Sequence, residues 1–184
     1  MFTAVAIMQL VQAGKLDLNA PIGRYLDNYP NAEFAKRVTT QQLLTHTGGA
    51  GDFMSQKWKD NYTHLRTSAD YISLFGSRPP NFPPGSRFDY ANYGYIVLGR
   101  IIEIVSGQPY EQYLQAHIFK PAGMTRSGLN EQPAEASVLA TSYVKVANQY
   151  QPPPGPFYGI CDGCRGRVLH CPRFARLRQC SNPA

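Results

Sequence analysis

Three groups of residues in this 184-residue chain are of types that could do chemistry. Tyr90 and Asn92 stand two apart in Arg87-Phe-Asp-Tyr-Ala-Asn-Tyr-Gly-Tyr95, directly ahead of a strongly apolar segment. A phenol both donates and accepts, and a carboxamide presents a donor and an acceptor side by side. The plainer account of the same letters is a tyrosine at a helix start, with Asn92 as the cap. Ser142-Tyr-Val-Lys145 spells Ser-x-x-Lys. On a helix that spacing sets an amine beside a hydroxyl, where it helps take the proton. With ten Ser and six Lys in the chain, chance alone supplies roughly 0.3 such strings, and Ser142 opens no apolar helix, so the string is expected to be a coincidence. The third group is Cys161-x-x-Cys164 with His170, Cys171 and Cys180. Its first pair has zinc-ligand spacing, but Cys171 and Cys180 are too far apart to form the usual second pair, and no metal site is expected.

The elements that must position these groups are mostly helical. Phe2, Val5, Ile7, Met8, Leu10 and Val11 recur at helical spacing, with Gly14 as a stop and no capping residue in front. Thr39 with Gln42 predicts a capping box for a helix that Gly48-Gly49 ends. Thr67 with Asp70 predicts another start, for a segment through Phe75. Tyr95 to Val105 is amphipathic to fully apolar and closes at Gly107, and Pro109 suits the first turn of a helix carrying Tyr113, Leu114 and Ile118. Pro-rich loops lie between, and only Val138–Val146 has a β-like flavour.

The length suffices for one domain with a core, and no apolar run approaches the roughly 20 residues that span a bilayer. The opening Met1-Phe-Thr-Ala-Val-Ala-Ile-Met is apolar but lacks a basic leader and a small-residue cleavage site, so it does not read as a signal peptide, and the compartment stays open. The net charge is +6. Residues 156–184 hold five Arg against one Asp, whereas residues 1–155 are close to balanced. The basic character belongs to a short tail with no aromatic platform or binding motif, and nucleic acid is not expected as a partner. All four cysteines also lie in that tail, so the body is not a disulfide scaffold.

Five blocks in order resemble the β-lactamase-related serine hydrolases, the group of class C β-lactamases, D-Ala-D-Ala carboxypeptidases and related esterases. Met1–Leu18 is similar to the helix after the nucleophile, and Ala20-Pro-Ile-Gly-Arg-Tyr-Leu26 continues the match. Leu43-Leu-Thr-His-Thr-Gly-Gly49 is similar to the Leu-Leu-x-His-Thr-Ser-Gly block. Tyr90-Ala-Asn92 is similar to the Tyr-x-Asn motif, and Phe119-Lys-Pro-Ala-Gly-Met124 to the Pro-Leu-Gly-Met element. Coverage is roughly residues 1–150. The resemblance implies hydrolysis of small amide or ester substrates (β-lactams, D-Ala peptides, esters) through an acyl-enzyme, with no cofactor. It implies that Tyr90 shares proton transfer with a lysine and that Asn92 hydrogen-bonds the acyl amide of the substrate.

The same resemblance puts the Ser-x-x-Lys nucleophile just ahead of Met1 and the third motif, Lys-Thr-Gly or His-x-Gly, beyond residue 184. His46-Thr-Gly48 matches that third motif in letters but not in order, and is expected to be a helix stop near the site. The expected fold class is therefore mainly α: the helical portion of the α/β β-lactamase/transpeptidase-like fold, without most of its sheet. Residues 1–155 are expected to form a partial domain, and residues 156–184 an irregular, divergent tail. The expected function is a fragment of such a hydrolase that is inactive by itself. The alternative is a non-catalytic binding or interaction module that retains part of the substrate pocket.

Overall fold

The computed structural model describes residues 1–61, 63–125, 127–128 and 144–151. Over these, the chain is helical and carries a single β-hairpin. The α-helices are α1 (Phe2–Gln12), α2 (Ala32–Arg37), α3 (Thr40–Leu44), α4 (Gln56–Asn61), α5 (Ser68–Phe75), α6 (Asn92–Ser106) and α7 (Tyr110–Leu114). A 3-10 turn at Ile22–Arg24 precedes α2, and a π-helical turn, Gln115–Phe119, extends α7. Strands β1 (Val144–Val146) and β2 (Gln149–Gln151) pair antiparallel, with Lys145 opposite Tyr150. The mainly α expectation holds.

Helix α6 is the centre of the packing, and α1, α3, α5 and α7 all lie against it. Tyr93, Gly94, Ile96, Val97, Leu98, Gly99, Ile101 and Ile102 are buried, so apolar positions run around most of its circumference, as a helix enclosed by others requires. From α1, Phe2, Ala6, Ile7 and Leu10 join the same core, and the Phe2 ring meets Phe119 edge-on at 5.0 Å. Three sets of polar groups in or beside this core are tied together. Thr3 Oγ1 and the Tyr110 hydroxyl are 2.6 Å apart, tying α1 to α7. The Tyr29 and Tyr93 hydroxyls are 3.0 Å apart, and burial pushes the Tyr29 phenol up to about 12. At α5, Ser68 Oγ donates to the Glu103 carboxylate of α6, which also pairs with Arg100 at 3.1 Å.

The capping box predicted at Thr39 forms, and the helix start predicted at Thr67 is capped in the same way. Thr39 Oγ1 accepts from the Gln42 N–H while Gln42 Oε1 accepts from the Thr39 N–H. The Thr67–Asp70 box at α5 is equally reciprocal. Gly107 ends α6 at φ 70°, where a side chain would be strained. Other expectations need correction. The helix opened by Thr39 does not run to Gly48-Gly49; it stops at Leu44, and His46 makes the reversal at φ 56°. Helix α6 begins at Asn92, three residues before the predicted Tyr95. Pro109 lies just outside the first turn of α7, at its N-cap. Helices α2 and α4 were not predicted: α2 starts at an Asn31 cap whose side chain accepts from the Phe34 N–H, and α4 fully buries no residue. Strand β1 falls at the end of the predicted β segment, β2 lies beyond it, and residues 138–143 are outside the described residues.

Two outcomes follow from this packing. Ile101 is wholly enclosed on α6, and Ile101→Ala is expected to cost about 2–5 kcal/mol, read as a lower urea midpoint with an unchanged slope. For Asp70, burial alone would raise the carboxyl, but hydrogen bonds from the Thr67 N–H, the Arg66 N–H and the Thr67 hydroxyl together hold it below its usual range. A carboxyl depressed on folding stabilises above its unfolded value and loses that contribution as pH falls toward the folded one. The difference in urea midpoint between wild type and Asp70→Asn is therefore expected to be open at about pH 6 and to narrow below about pH 4.

Candidate functional site

The Tyr90–Asn92 segment is held by two backbone stretches that run alongside one another. The turn after α3 accepts three hydrogen bonds from the Pro-rich stretch before α6. The Asp89 N–H donates to the His46 carbonyl at 2.9 Å, the Gly85 N–H to Thr47 at 2.8 Å, and the Asn81 N–H to Gly49 at 2.9 Å. Such a seam needs the carbonyls of residues 46–49 turned to one side, and two left-handed residues turn them: His46 at φ 56° and Gly49 at φ 69°. Gly49 has a second reason to lack a side chain. A Cβ there would stand 2.8 Å from the Phe82 carbonyl oxygen and 3.2 Å from Pro80 Cβ.

At the end of this seam α6 begins, and the two motif residues meet. The Tyr90 hydroxyl donates to Asn92 Oδ1 at 3.1 Å, and Asn92 Nδ2 donates to the Asp52 carboxylate at 3.1 Å. Asn92 is the first residue of the helix, and Ala91 holds the cap position. The plain account of Asn92 as a cap is thus corrected: its carboxamide bridges a phenol and a carboxylate. Asp52 is itself fixed, since its side chain accepts from the Phe53 N–H at 2.7 Å and its carbonyl accepts from Arg78 Nη1 at 2.7 Å. The Arg78 guanidinium lies over the rings of Tyr93 (4.9 Å) and Phe75 (5.1 Å).

Aromatic contacts surround the same point. The His46 imidazole lies 4.4 Å from the Tyr90 ring and 5.1 Å from the Tyr95 ring, nearly parallel to the latter, and Phe88 meets it edge-on at 5.9 Å. The Ala91 N–H donates to His46 Nδ1 at 3.2 Å. Burial lowers the imidazole below its ordinary value, so the ring is neutral near pH 7. The Tyr95 hydroxyl donates to the Leu44 carbonyl at 3.2 Å, and burial pushes this phenol up, with Tyr90 acting in the same direction. The Tyr95 phenol is therefore held in its protonated form. Tyr90 remains 60% exposed and Phe88 67% exposed, so one side of the cluster faces open space.

Sequence reasoning placed Tyr90 and Asn92 together and the structure brings them into direct contact. It did not find Asp52 or Arg78, which no local pattern marks, and it treated His46 as a helix stop without seeing its contact with Tyr90. The Ser142-x-x-Lys145 string is divided: Lys145 lies in β1, and Ser142 falls outside the described residues. The cysteine-rich group at residues 161–180 also lies outside them. Among the described residues, no group of three or more His, Cys, Asp or Glu is placed to hold a metal ion, and no helix is long and apolar enough to cross a membrane.

Known proteins resemble this chain in sequence and in fold. A family model described as Beta-lactamase matches residues 1–162. Penicillin-binding protein 4 of Amycolatopsis lactamdurans is 31% identical over 186 residues, covering 96% of this chain and 48% of that protein. Esterase EstB of Burkholderia gladioli is 33% identical over 139 residues, covering 68% of this chain and 35% of the esterase. Among solved structures, a penicillin-binding protein from Bacillus halodurans superposes with a TM-score of 0.67 at 38% identity, over 82% of this chain and 48% of that one. The chain spans less than half the length of each of these three proteins. The helical body is the helical part of the fold that these proteins share, and the chain belongs to the β-lactamase-related serine hydrolase family.

Proposed function

We propose that this chain carries the Tyr-x-Asn side of an acyl-transfer site for small amide or ester substrates such as β-lactams, D-Ala peptides and simple esters. The observation that carries the reading is the line from Tyr90 hydroxyl to Asn92 carboxamide to Asp52 carboxylate at the exposed start of α6. In this reading Tyr90 is the proton carrier. It stands on the open side of the cluster, whereas the Tyr95 hydroxyl is committed to the Leu44 carbonyl. Asn92 binds the acyl amide of the substrate. A carboxamide free to flip would present donor and acceptor at random; here Oδ1 is claimed by a donor and Nδ2 by an acceptor, so its orientation is set before any substrate arrives.

The second part of the proposal is that a polypeptide of these 184 residues does not turn such substrates over. Acyl transfer needs a nucleophile beside its base. The one Ser-x-x-Lys string in the sequence is Ser142–Lys145, and its lysine lies in β1, not on a helix that a serine opens. Removing the nucleophile from a site of this type leaves only binding and electrostatic effects, so the rate falls by several powers of ten. A purified chain of residues 1–184 is expected to hydrolyse nitrocefin and p-nitrophenyl acetate no faster than the buffer blank, with Tyr90→Phe the same. Turnover above the blank that Tyr90→Phe abolishes would sink this part of the reading.

Recognition does not need the nucleophile and can be read separately. Titration with acetyl-D-alanyl-D-alanine is expected to shift the Asn92 side-chain amide resonances in a saturable way. Asn92→Ala should weaken the affinity by about 3–10-fold, the worth of one hydrogen bond of about 1 kcal/mol. An affinity unchanged in Asn92→Ala would remove Asn92 from the binding role.

A further inference from the structure

His46 is a non-glycine residue in the left-handed region, at φ 56°. The reversal after α3 could have been left to glycine, since Gly48 and Gly49 follow two and three residues later and Gly49 already adopts this conformation. A side chain kept at a strained position calls for a reason in what that side chain touches. Here it touches both halves of the Tyr90 segment. Nδ1 accepts from the Ala91 N–H, which follows Tyr90 directly, and the face of the ring lies 4.4 Å from the Tyr90 ring. The backbone of the same residue accepts from the Asp89 N–H, which precedes Tyr90. One residue thus holds the peptide on each side of Tyr90 and its ring.

The imidazole also has a second, anchored ring neighbour. The Tyr95 ring lies nearly parallel to His46 at 5.1 Å, and its hydroxyl is tied to the Leu44 carbonyl on α3. The ring that contacts Tyr90 therefore rests on a side chain anchored at both ends, by the helix α6 that carries it and by the last residue of α3. Tyr90 has little other support: it is 60% exposed, and its hydroxyl donates to Asn92 Oδ1.

We propose that His46 is a positioning residue that selects one rotamer of Tyr90, through the Ala91 N–H bond and the ring contact together, and so aims the phenol at the Asn92 carboxamide. Its value for catalysis rests on Tyr90 being the proton carrier; the positioning itself does not. The bond from Ala91 also fixes the tautomer. Nδ1 must keep its lone pair, so the proton resides on Nε2.

The test is nuclear magnetic resonance on residues 1–184, wild type and two variants, with no turnover involved. His46→Asn keeps a residue type that tolerates positive φ and an oxygen acceptor for the Ala91 N–H, but removes the ring. His46→Ala removes both. In wild type, the Hα–Hβ couplings of Tyr90 are expected to show one large and one small value, a single rotamer, and His46 Nδ1 a pyridine-type 15N shift. In His46→Asn the Tyr90 couplings should move toward equal values while the Ala91 amide stays protected from exchange. In His46→Ala both the single rotamer and that protection should be lost. The proposal is overturned if Tyr90 already averages among rotamers in wild type, if it keeps one rotamer in both variants, or if Nδ1 carries the proton. These couplings report the rotamer of Tyr90 alone, so a failure of Tyr90 as proton carrier leaves them unmoved.

Discussion

Three backbone hydrogen bonds, from Asn81, Gly85 and Asp89 to Gly49, Thr47 and His46, decide what the front of this molecule looks like. They join two loops that have no regular structure of their own, and they do so at the point where α6 starts. Each bond is individually modest, worth about 1 kcal/mol net. Their effect is geometric. They fix the backbone that carries Tyr90, set Asp52 within reach of Asn92, and bring the His46 ring against the phenol. Without them the two motif residues would be neighbours in sequence and nothing more.

The seam can be so short because both sides of it are anchored in the core. On one side α3 is capped at Thr39 and buries Leu43 against the body. On the other, α6 is enclosed by four helices and its buried positions begin at Tyr93, next to Asn92. Arg78 adds a tie across the two, holding the Asp52 carbonyl while its guanidinium rests on Tyr93 and Phe75. The arrangement matches a familiar division of labour, in which loops carry the reactive groups and rigid elements set their positions. What is less usual is the strain: a histidine at positive φ costs about 1–2 kcal/mol against an extended or right-handed residue, and the contacts of its ring and backbone must offset that.

What could be read from the sequence was local. A capping box places its partners three residues apart and was legible at Thr39, and the helix start at Thr67 was legible from the same spacing. The stop at Gly107 and the buried face of α6 follow from composition and period alone. Tyr90 with Asn92 was legible for the same reason, two letters apart. The partners that give the pair its geometry were not: Asp52 is 40 residues from Asn92, and His46 is 45 from Ala91. No periodicity links positions that far apart; only the folded seam does. Helix α4 escaped notice because it fully buries no residue and so shows no apolar stripe. The misplaced end of α3 has a similar origin. Two glycines looked like the stop, while the residue that turns the chain was a histidine whose strain is offset by contacts absent from its own neighbourhood in sequence.

The crowding at Gly49 has a consequence for how this protein tolerates change. Any side chain there meets the Phe82 carbonyl and Pro80, so accommodation means moving the Pro-rich loop outward. That loop supplies two donors of the seam, Asn81 and Gly85, and leads directly into Tyr90. A substitution at Gly49 would thus be felt at the phenol although Gly49 has no group able to donate, accept or store a proton through a side chain. In a survey of random variants scored for function, position 49 would rank with the reactive residues. Its intolerance would report a spacing between two loops, not a participant in chemistry, and lists of sensitive positions in such proteins mix the two kinds unless fold and function are scored apart.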